Sequence, residues 1–264
     1  MRLVLDVENT TQTREGKLHL DPFEPENSLT MVGLVDADSD DAPTIYTYDH
    51  AEKESPDSPI MLQETLDKTT LLIMHNAQHD LQWLWSCGFK YNGDIYDTML
   101  SEYILCRGLK KPLSLEACAE RYRLQWTKQD TLKQYFKKGY NTRDIPILEL
   151  SRYLDADIRV TKELFLTLDK RYKDQENHSL VNVLNITNEV CRALTKMYMN
   201  GLKVSRDTLY EVKEEFEKER NEILDALEKT TKELMGDTPI NLNSPEQVSQ
   251  LIFSRRVLDK NIWG

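Results

Sequence analysis

Asp6 and Glu8 stand two residues apart at the close of the apolar run over residues 3–7. On a strand, residues two apart point to the same face, so both carboxylates project together from the strand's end. Unneutralised, they repel each other. By themselves they read first as a solvated strand end, and their meaning comes from two further groups. His75-Asn76-Ala77-Gln78-His79-Asp80 begins where the apolar run over residues 71–74 gives way to a helical period. Asn76 suits the N-cap there, and Asp80, one turn in, falls near the same edge of the sheet as the end of the first strand. In Tyr153-Leu154-Asp155-Ala156-Asp157, Tyr153 and Asp157 lie four apart and share a helix face, while Asp155 points away. Four carboxylates, Asp6, Glu8, Asp80 and Asp157, each on a regular element flanked by apolar residues, converge only if something positive holds them. A pair of hard divalent cations meets that need. Mg²⁺ accepts carboxylate oxygens and keeps several waters, and two ions roughly 3.5–4 Å apart clamp the attacking and leaving oxygens of an in-line phosphoryl displacement. His75 and His79 do not form a zinc set. Tyr153, one turn from Asp157, is placed to hydrogen-bond and orient an attacking water.

The text around these residues supplies the elements that must carry them. Residues 3–7, 29–35, 44–48 and 71–74 are β-rich runs, separated by Asp21-Pro22, by Pro25-Glu26-Asn27 and by an acidic loop over residues 36–43. A helix is expected over about residues 59–67. Strands joined by short turns, then a helix and a return strand, predict a mixed sheet with helices on its faces. From Asn76 onward the period is helical. Ser114 opens one helix, residues 145–172 carry Leu148, Leu154, Ile158, Leu164 and Leu168 along another, and residues 179–200 form a third closed by Asn200-Gly201. Over residues 205–235, Leu209, Val212, Phe216, Ile223, Leu227 and Leu234 make a near-heptad stripe in a field of Glu and Lys, which predicts a long projecting helix. Ser244-Pro245 starts a last helix, expected to run to the end of the chain. A domain boundary is placed near residue 177, where Lys173-Asp174-Gln175-Glu176-Asn177 interrupts the apolar pattern.

Composition narrows the function. The 264 residues suffice for one large or two smaller domains, and no run of eighteen uncharged apolar residues is available to span a membrane. Lys plus Arg number 34 against 45 Asp plus Glu, a net charge of -11, which argues against a generic electrostatic clamp on nucleic acid. Arg107, Lys110 and Lys111, with Lys128, Lys133, Lys137 and Lys138, are the basic clusters of the first half and read as a solvated face or as backbone contacts. The four cysteines show no CxxC pair and no histidine at zinc-finger spacing, and residues 1–5 are too short an apolar stretch for a secretory signal. Reduced thiols and a cytosolic setting are expected.

In order and spacing the three groups resemble the motifs of the DEDD superfamily of 3′-to-5′ exonucleases, in the variety that carries a tyrosine. DxE is matched by Asp6-Val7-Glu8, Nx₃D by Asn76 and Asp80, and YxxxD by Tyr153 and Asp157. The resemblance extends to the family A DNA polymerases of bacteria and phages. Asp97-Thr98-Met99-Leu100-Ser101-Glu102-Tyr103-Ile104-Leu105 and Leu113-Ser114-Leu115-Glu116 look like the stretch joining the second and third motifs of their proofreading domains. Met199-Asn200-Gly201-Leu202-Lys203-Val204 and Asn241-Leu242-Asn243-Ser244-Pro245-Glu246-Gln247 look like the entry to the polymerase portion and the thumb.

The resemblance implies an α/β, ribonuclease H-like mixed sheet flanked by helices over residues 1–177, the 3′-to-5′ exonuclease domain, followed by an all-α, thumb-like segment over residues 178–264. It implies hydrolysis of the terminal phosphodiester at single-stranded DNA 3′ ends with two divalent ions, Mg²⁺ or Mn²⁺, releasing 5′-mononucleotides in the cytoplasm, the host's if the chain is phage-encoded. Asp6, Glu8 and Asp157 would ligate the first metal, Asp6 would bridge to the second, Asp80 would hold the second largely through water, and Tyr153 would position the nucleophile. Asn9, Thr10 and Asn76 would belong to the substrate-binding set. Leu81, Trp85 and Phe89 are candidates for stacking on bases, though their helical spacing more often means a core. No text here matches palm and fingers with their catalytic aspartates, so the chain is not expected to polymerise by itself and reads either as the N-terminal portion of a split polymerase, its palm and fingers separately encoded, or as a truncated product that keeps the exonuclease module. Two other readings stay open: an RNA-processing exonuclease using the same carboxylates, and an inactive scaffold that docks to a polymerase subunit through the projecting helix.

Overall fold

The computed structural model describes residues 1–126, 132–236 and 240–254. These fall in two compact units, Met1–Gly201 and Leu202–Gly264. The first is built in chain order from β1 (Arg2–Asn9), the hairpin β2 (Gln12–Arg14) and β3 (Lys17–His19), then β4 (Leu29–Asp36), β5 (Thr44–Thr47), α1 (Pro59–Asp67), β6 (Leu71–Met74), α2 (Ala77–Ser86), β7 (Asp94–Asp97), α3 (Thr98–Leu105), α4 (Leu115–Tyr122), α5 (Lys133–Lys137), α6 (Ile147–Lys173) and α7 (Val181–Asn200). The main sheet runs β5-β4-β1-β6-β7, with β1 central, antiparallel to β4 and parallel to β6.

Alternation along β1 divides the core. Leu3, Leu5 and Val7 face the α1 and α2 layer, where Leu62, Leu66, Leu81 and Leu84 pack. Val4 faces the other way, with Met31 and Val35 of β4 and Ile73 of β6, onto Leu150, Leu154, Ile158 and Phe165 of α6. Asp6 and Glu8 continue the phase of Val4 and so belong to the α6 face. β6 pairs with β1 only as far as Val4↔Ile73, whereas β4 stays paired to Asn9. The second half of β1 therefore has one open edge, at the carboxyl end of a strand where the sheet changes from antiparallel to parallel pairing, a place where α/β sheets form their crevices.

Among the described residues the expected strands and helices form, and further elements appear that the residue pattern did not reveal, among them the short α5, the β2–β3 hairpin and β7. The β2–β3 hairpin turns on Glu15 and Gly16, both at positive φ, within a stretch with no sustained alternation. β7 is four residues long and bracketed by aspartates. The unit boundary also falls later than residue 177. The polar stretch before α7 is a fixed turn: Asn177 Nδ2 donates to Arg171 O at 3.0 Å, and Arg107 donates to Asn177 Oδ1 at 2.9 Å. α7 then buries Leu184, Asn188 and Thr195 on the first unit, with Asn188 Oδ1 accepting from the Asp97 amide at 3.1 Å.

In the second unit Ser205 caps α8 (Arg206–Met235) by accepting from the Thr208 amide, and Gly236 at φ 63° ends it. α8 carries Leu209, Phe216, Ile223 and Leu227 exposed along its length. α9 (Pro245–Ser254) follows, and its expected continuation to the chain's end lies outside the described residues. Among the described residues no helix is long and apolar enough to cross a membrane.

Candidate active site

Asp6 and Glu8 sit half-buried on β1, and Asp157 is buried on α6. One carboxylate oxygen from each of the three lies within 4.8 Å of the others. Arg159, two residues on from Asp157, pairs with Asp155 at 2.7 Å. Asp80 comes from α2, near enough to Asp6 to feel its charge but outside that three-residue group. Its Oδ1 accepts the Val7 amide at 3.2 Å, on the edge of β1 that β6 leaves open, and the carboxyl is completely buried. Burial first, and the neighbouring Asp6 charge second, push the Asp80 carboxyl well above the usual carboxylate range, against the pull of the Val7 N–H. Tyr153 stands one turn before Asp157 on α6, half-buried against the Met31 and Ile73 core.

The segment entering α6 is tied to the end of β1. Asn141 accepts from Thr11 N at 3.0 Å and donates to Thr11 O at 2.7 Å. Thr142 Oγ1 donates to Asn9 O at 2.8 Å, and His50 Nε2 lies 2.9 Å from Ile145 O. These bonds fix the start of the helix that delivers Tyr153 and Asp157.

The second motif is held differently from expectation. Asn76 occupies the N-cap position of α2 but adopts left-handed φ 72° and makes no side-chain cap. Asp97 does the capping. Its carboxylate accepts from the Asn76 and Ala77 amides at 3.2 and 2.9 Å, and from Met99 and Leu100 at 2.8 and 3.2 Å, so one buried side chain starts both α2 and α3. Burial raises its pKa against the pull of these four donors. An aspartate immediately before a helix is readable as its own N-cap; its service to α2, twenty residues earlier, is not.

Asn9 and Thr10 are buried and spent on the fold. Asn9 donates to Thr10 O and Leu20 O at 2.7 and 3.2 Å and accepts from His79 Nε2 at 2.9 Å, while Thr10 Oγ1 accepts the Ser28 amide at 2.7 Å. Burial lowers the His79 pKa, favouring the neutral ring that makes this contact. Leu81 and Phe89 are core residues, and Trp85 packs against the same core with Lys196 Nζ 5.8 Å from its ring centre, so the structure takes these three from the stacking set. Lys110, Lys111, Lys137 and Lys138 are exposed, and Lys128 lies outside the described residues. Cys106 and Cys118 are buried free thiols, Cys191 is half-buried and Cys87 is exposed.

Three carboxylate oxygens within 4.8 Å suit a hard cation. Around Mg²⁺ with bonds of about 2.1 Å, neighbouring ligand oxygens stand about 3 Å apart and opposite ones about 4.2 Å.

Residues 45–173 match the family model described as 3′-5′ exonuclease. That stretch includes Asp80, Tyr153 and Asp157 and begins after Asp6 and Glu8. DNA polymerase I of Chloroflexus aurantiacus is 25% identical over 195 residues, 72% of this chain and 19% of that protein, so the chain spans about a fifth of the curated relative's length. Among solved structures, the POL domain of Pol1 from M. smegmatis in complex with DNA primer-template and dNTP aligns with TM-score 0.66 at 20% identity, covering 97% of this chain and 37% of that one. Brucella melitensis NrnC with bound Mg²⁺ aligns with TM-score 0.52 at 15% identity over 76% of this chain and 86% of its own. These neighbours share the ribonuclease H-like nuclease fold. The family match and the DNA polymerase I relatives support a DEDD-type 3′-5′ exonuclease domain of the family A DNA polymerase kind in this chain.

Proposed function

We propose that this chain is a proofreading exonuclease acting on single-stranded DNA 3′ ends, with Asp6, Glu8, Asp80 and Asp157 as its metal ligands and Tyr153 as the residue that orients the nucleophile. The observation that carries the reading is the meeting of Asp6, Glu8 and Asp157 from β1 and α6, with ligand atoms within 4.8 Å. Asp6, Glu8 and Asp157 would hold one divalent cation, Mg²⁺ or Mn²⁺, and Asp6 and Asp80 would serve a second; bound, these ions would supply the positive charge that lets a phosphodiester approach this acidic edge and that stabilises the charge developing on its oxygens. Tyr153, one turn from Asp157, hydrogen-bonds the attacking water. The water oxygen bonds to phosphorus as the bond to the preceding O3′ breaks. The water's proton leaves to solvent, O3′ takes one up, and a 5′-mononucleotide departs.

DNA is favoured over RNA by the DNA polymerase I relatives and by the second unit's likeness in sequence to a polymerase thumb. In this reading the proposed domains are the nuclease over residues 1–177 and the thumb-like segment beyond, the partner is a polymerase palm-and-fingers portion, and the reaction belongs to the cytoplasm. The exposed apolar row on α8 supports docking, which is compatible with an active nuclease. The test is incubation of the purified chain with end-labelled single-stranded DNA and matched RNA, with Mg²⁺ and with chelator. Stepwise shortening of the DNA from its 3′ end in Mg²⁺ alone is expected. Faster shortening of RNA, or cleavage in chelator, overturns the reading.

A further inference from the structure

We propose that Gly33 is a positioning residue for the carboxylate cluster: the absence of a side chain there sets how closely α6, and with it Asp157, approaches Asp6. The inference rests on the metal-site reading above. Gly33 lies in the middle of β4, where a glycine weakens a strand and so wants a reason. It pairs directly with Asp6 across the antiparallel ladder, and opposite residues in such a ladder face the same side of the sheet. The missing side chain thus points at α6 from the position beside Asp6. A Cβ built on Gly33 would stand 2.9 Å from Leu154 Cγ and would collide outright with Ile158 Cδ1. Leu154 follows Tyr153 in the chain and Ile158 follows Asp157, so the two obstructing side chains adjoin the two functional ones. Both are fully buried. Met31 and Val35, the neighbours of Gly33 on the same face of β4, carry full side chains, and Gly33 is the notch between them into which the helix settles.

The size of the displacement decides the matter. Ile158 Cδ1 ends a flexible side chain, but Leu154 Cγ is a branch point close to the helix backbone. Ordinary contact begins at 3.4 Å, so an added Cβ requires Leu154 Cγ to retreat by about half an ångström. A metal site tolerates about 0.2 Å in its ligand distances, and Mg²⁺ demands near-ideal octahedral geometry. A retreat of α6 by that amount takes Asp157 out of the set.

The experiment titrates the purified chain with Mn²⁺, reading free Mn²⁺ by its electron paramagnetic resonance signal, and records thermal melting in chelator for each variant. Gly33→Ala is expected to weaken Mn²⁺ binding by about tenfold or more. Leu62→Ala, a core truncation on the α1 face, lowers the melting temperature but leaves Mn²⁺ affinity within about twofold of wild type. In a Leu154→Ala/Ile158→Val background, which removes both obstructing atoms, adding Gly33→Ala changes affinity by less than about twofold. If Gly33→Ala does not fold alone, Gly33→Ala/Ile158→Val keeps only the Leu154 obstruction and is expected to show the same loss. Wild-type affinity in a folded Gly33→Ala or Gly33→Ala/Ile158→Val protein overturns the inference and leaves the metal-site reading standing. Equal loss in Leu62→Ala reduces Gly33 to general stability and also overturns it. A wild-type chain that binds no Mn²⁺ overturns both.

Discussion

Asp157→Asn separates the two effects that the carboxylate cluster combines, self-repulsion and metal affinity. Two unit charges 4.8 Å apart repel by about 3.5 kcal/mol at an effective dielectric of about 20, and by about 0.9 kcal/mol at the dielectric of water. Asp6 and Glu8 are half-exposed, so water screens part of this, and the realised cost per pair lies between those bounds. Asp157 takes part in two such pairs. Neutralising it relieves at least about 2 kcal/mol in the metal-free protein, and for a compact unit of this size each kcal/mol moves the melting temperature by about 2–4 °C. In chelator at neutral pH, Asp157→Asn is therefore expected to melt about 4–8 °C above wild type. Mg²⁺ at a hundredfold excess over its dissociation constant stabilises wild type by about 2.7 kcal/mol. The variant, lacking one ligand, gains little, so the two curves converge or change order. Differential scanning calorimetry at low ionic strength, with chelator and with Mg²⁺, reads both. An Asp157→Asn protein that melts below wild type in chelator, yet still gains several degrees from Mg²⁺, would refute the electrostatic argument and the ligand assignment together.

Tyr153→Phe removes the hydroxyl proposed to orient water and keeps the ring that packs on the Met31 and Ile73 core. Hydrolysis is expected to slow by about 10²-fold or more with Mn²⁺ affinity unchanged, and an unchanged rate means that the tyrosine has no such task. Asp97→Ala strips the acceptor from four helix-starting amides, Asn76, Ala77, Met99 and Leu100, and should cost at least about 3 kcal/mol in urea denaturation; a loss below about 1 kcal/mol would show that water replaces the carboxylate freely. Burial pushes the Cys118 thiol up to about 11. The unfolded chain then releases that proton first, so this contribution is fully present below about pH 8.5 and is lost as pH rises toward about 11. Melting between pH 8 and 10.5 should fall less steeply in Cys118→Ala than in wild type, and equal slopes would contradict the shift.

Much of this organisation was legible because it is written locally. Residues 3–7 are apolar enough to be a central strand, and Asp6 and Glu8 break that pattern at a period of two, so their shared face follows from strand geometry alone. Tyr153 and Asp157 are legible in the same way at a period of four. What escaped depends on contacts between distant segments. β7 is only Asp94-Ile95-Tyr96-Asp97, and four residues fall below the length at which alternation means anything. Its last residue matters most, yet Asp97 starts α2 from the far side of a strand pairing that no local pattern records. Asn76 was misjudged for the same reason: its residue type fits a cap, and the cap comes from elsewhere. The compact-unit boundary at Gly201 escaped because a polar run such as residues 173–177 reads as a linker whether it is loose or, as here, pinned by Asn177 and Arg107.

The distinction matters for the chemistry. Carboxylates announce themselves by their cost, since a charge among apolar residues demands a partner. The residues that bring them together carry no such mark. Asn141 and Thr142 hold the entry to α6 with ordinary hydrogen bonds, and Gly33 acts through an atom it lacks. Motif spacing can therefore name the ligands of a site while leaving its dimensions undetermined. Those are set by the depth at which one helix beds on one strand, and a half-ångström error there separates a metal site from four acids that repel one another.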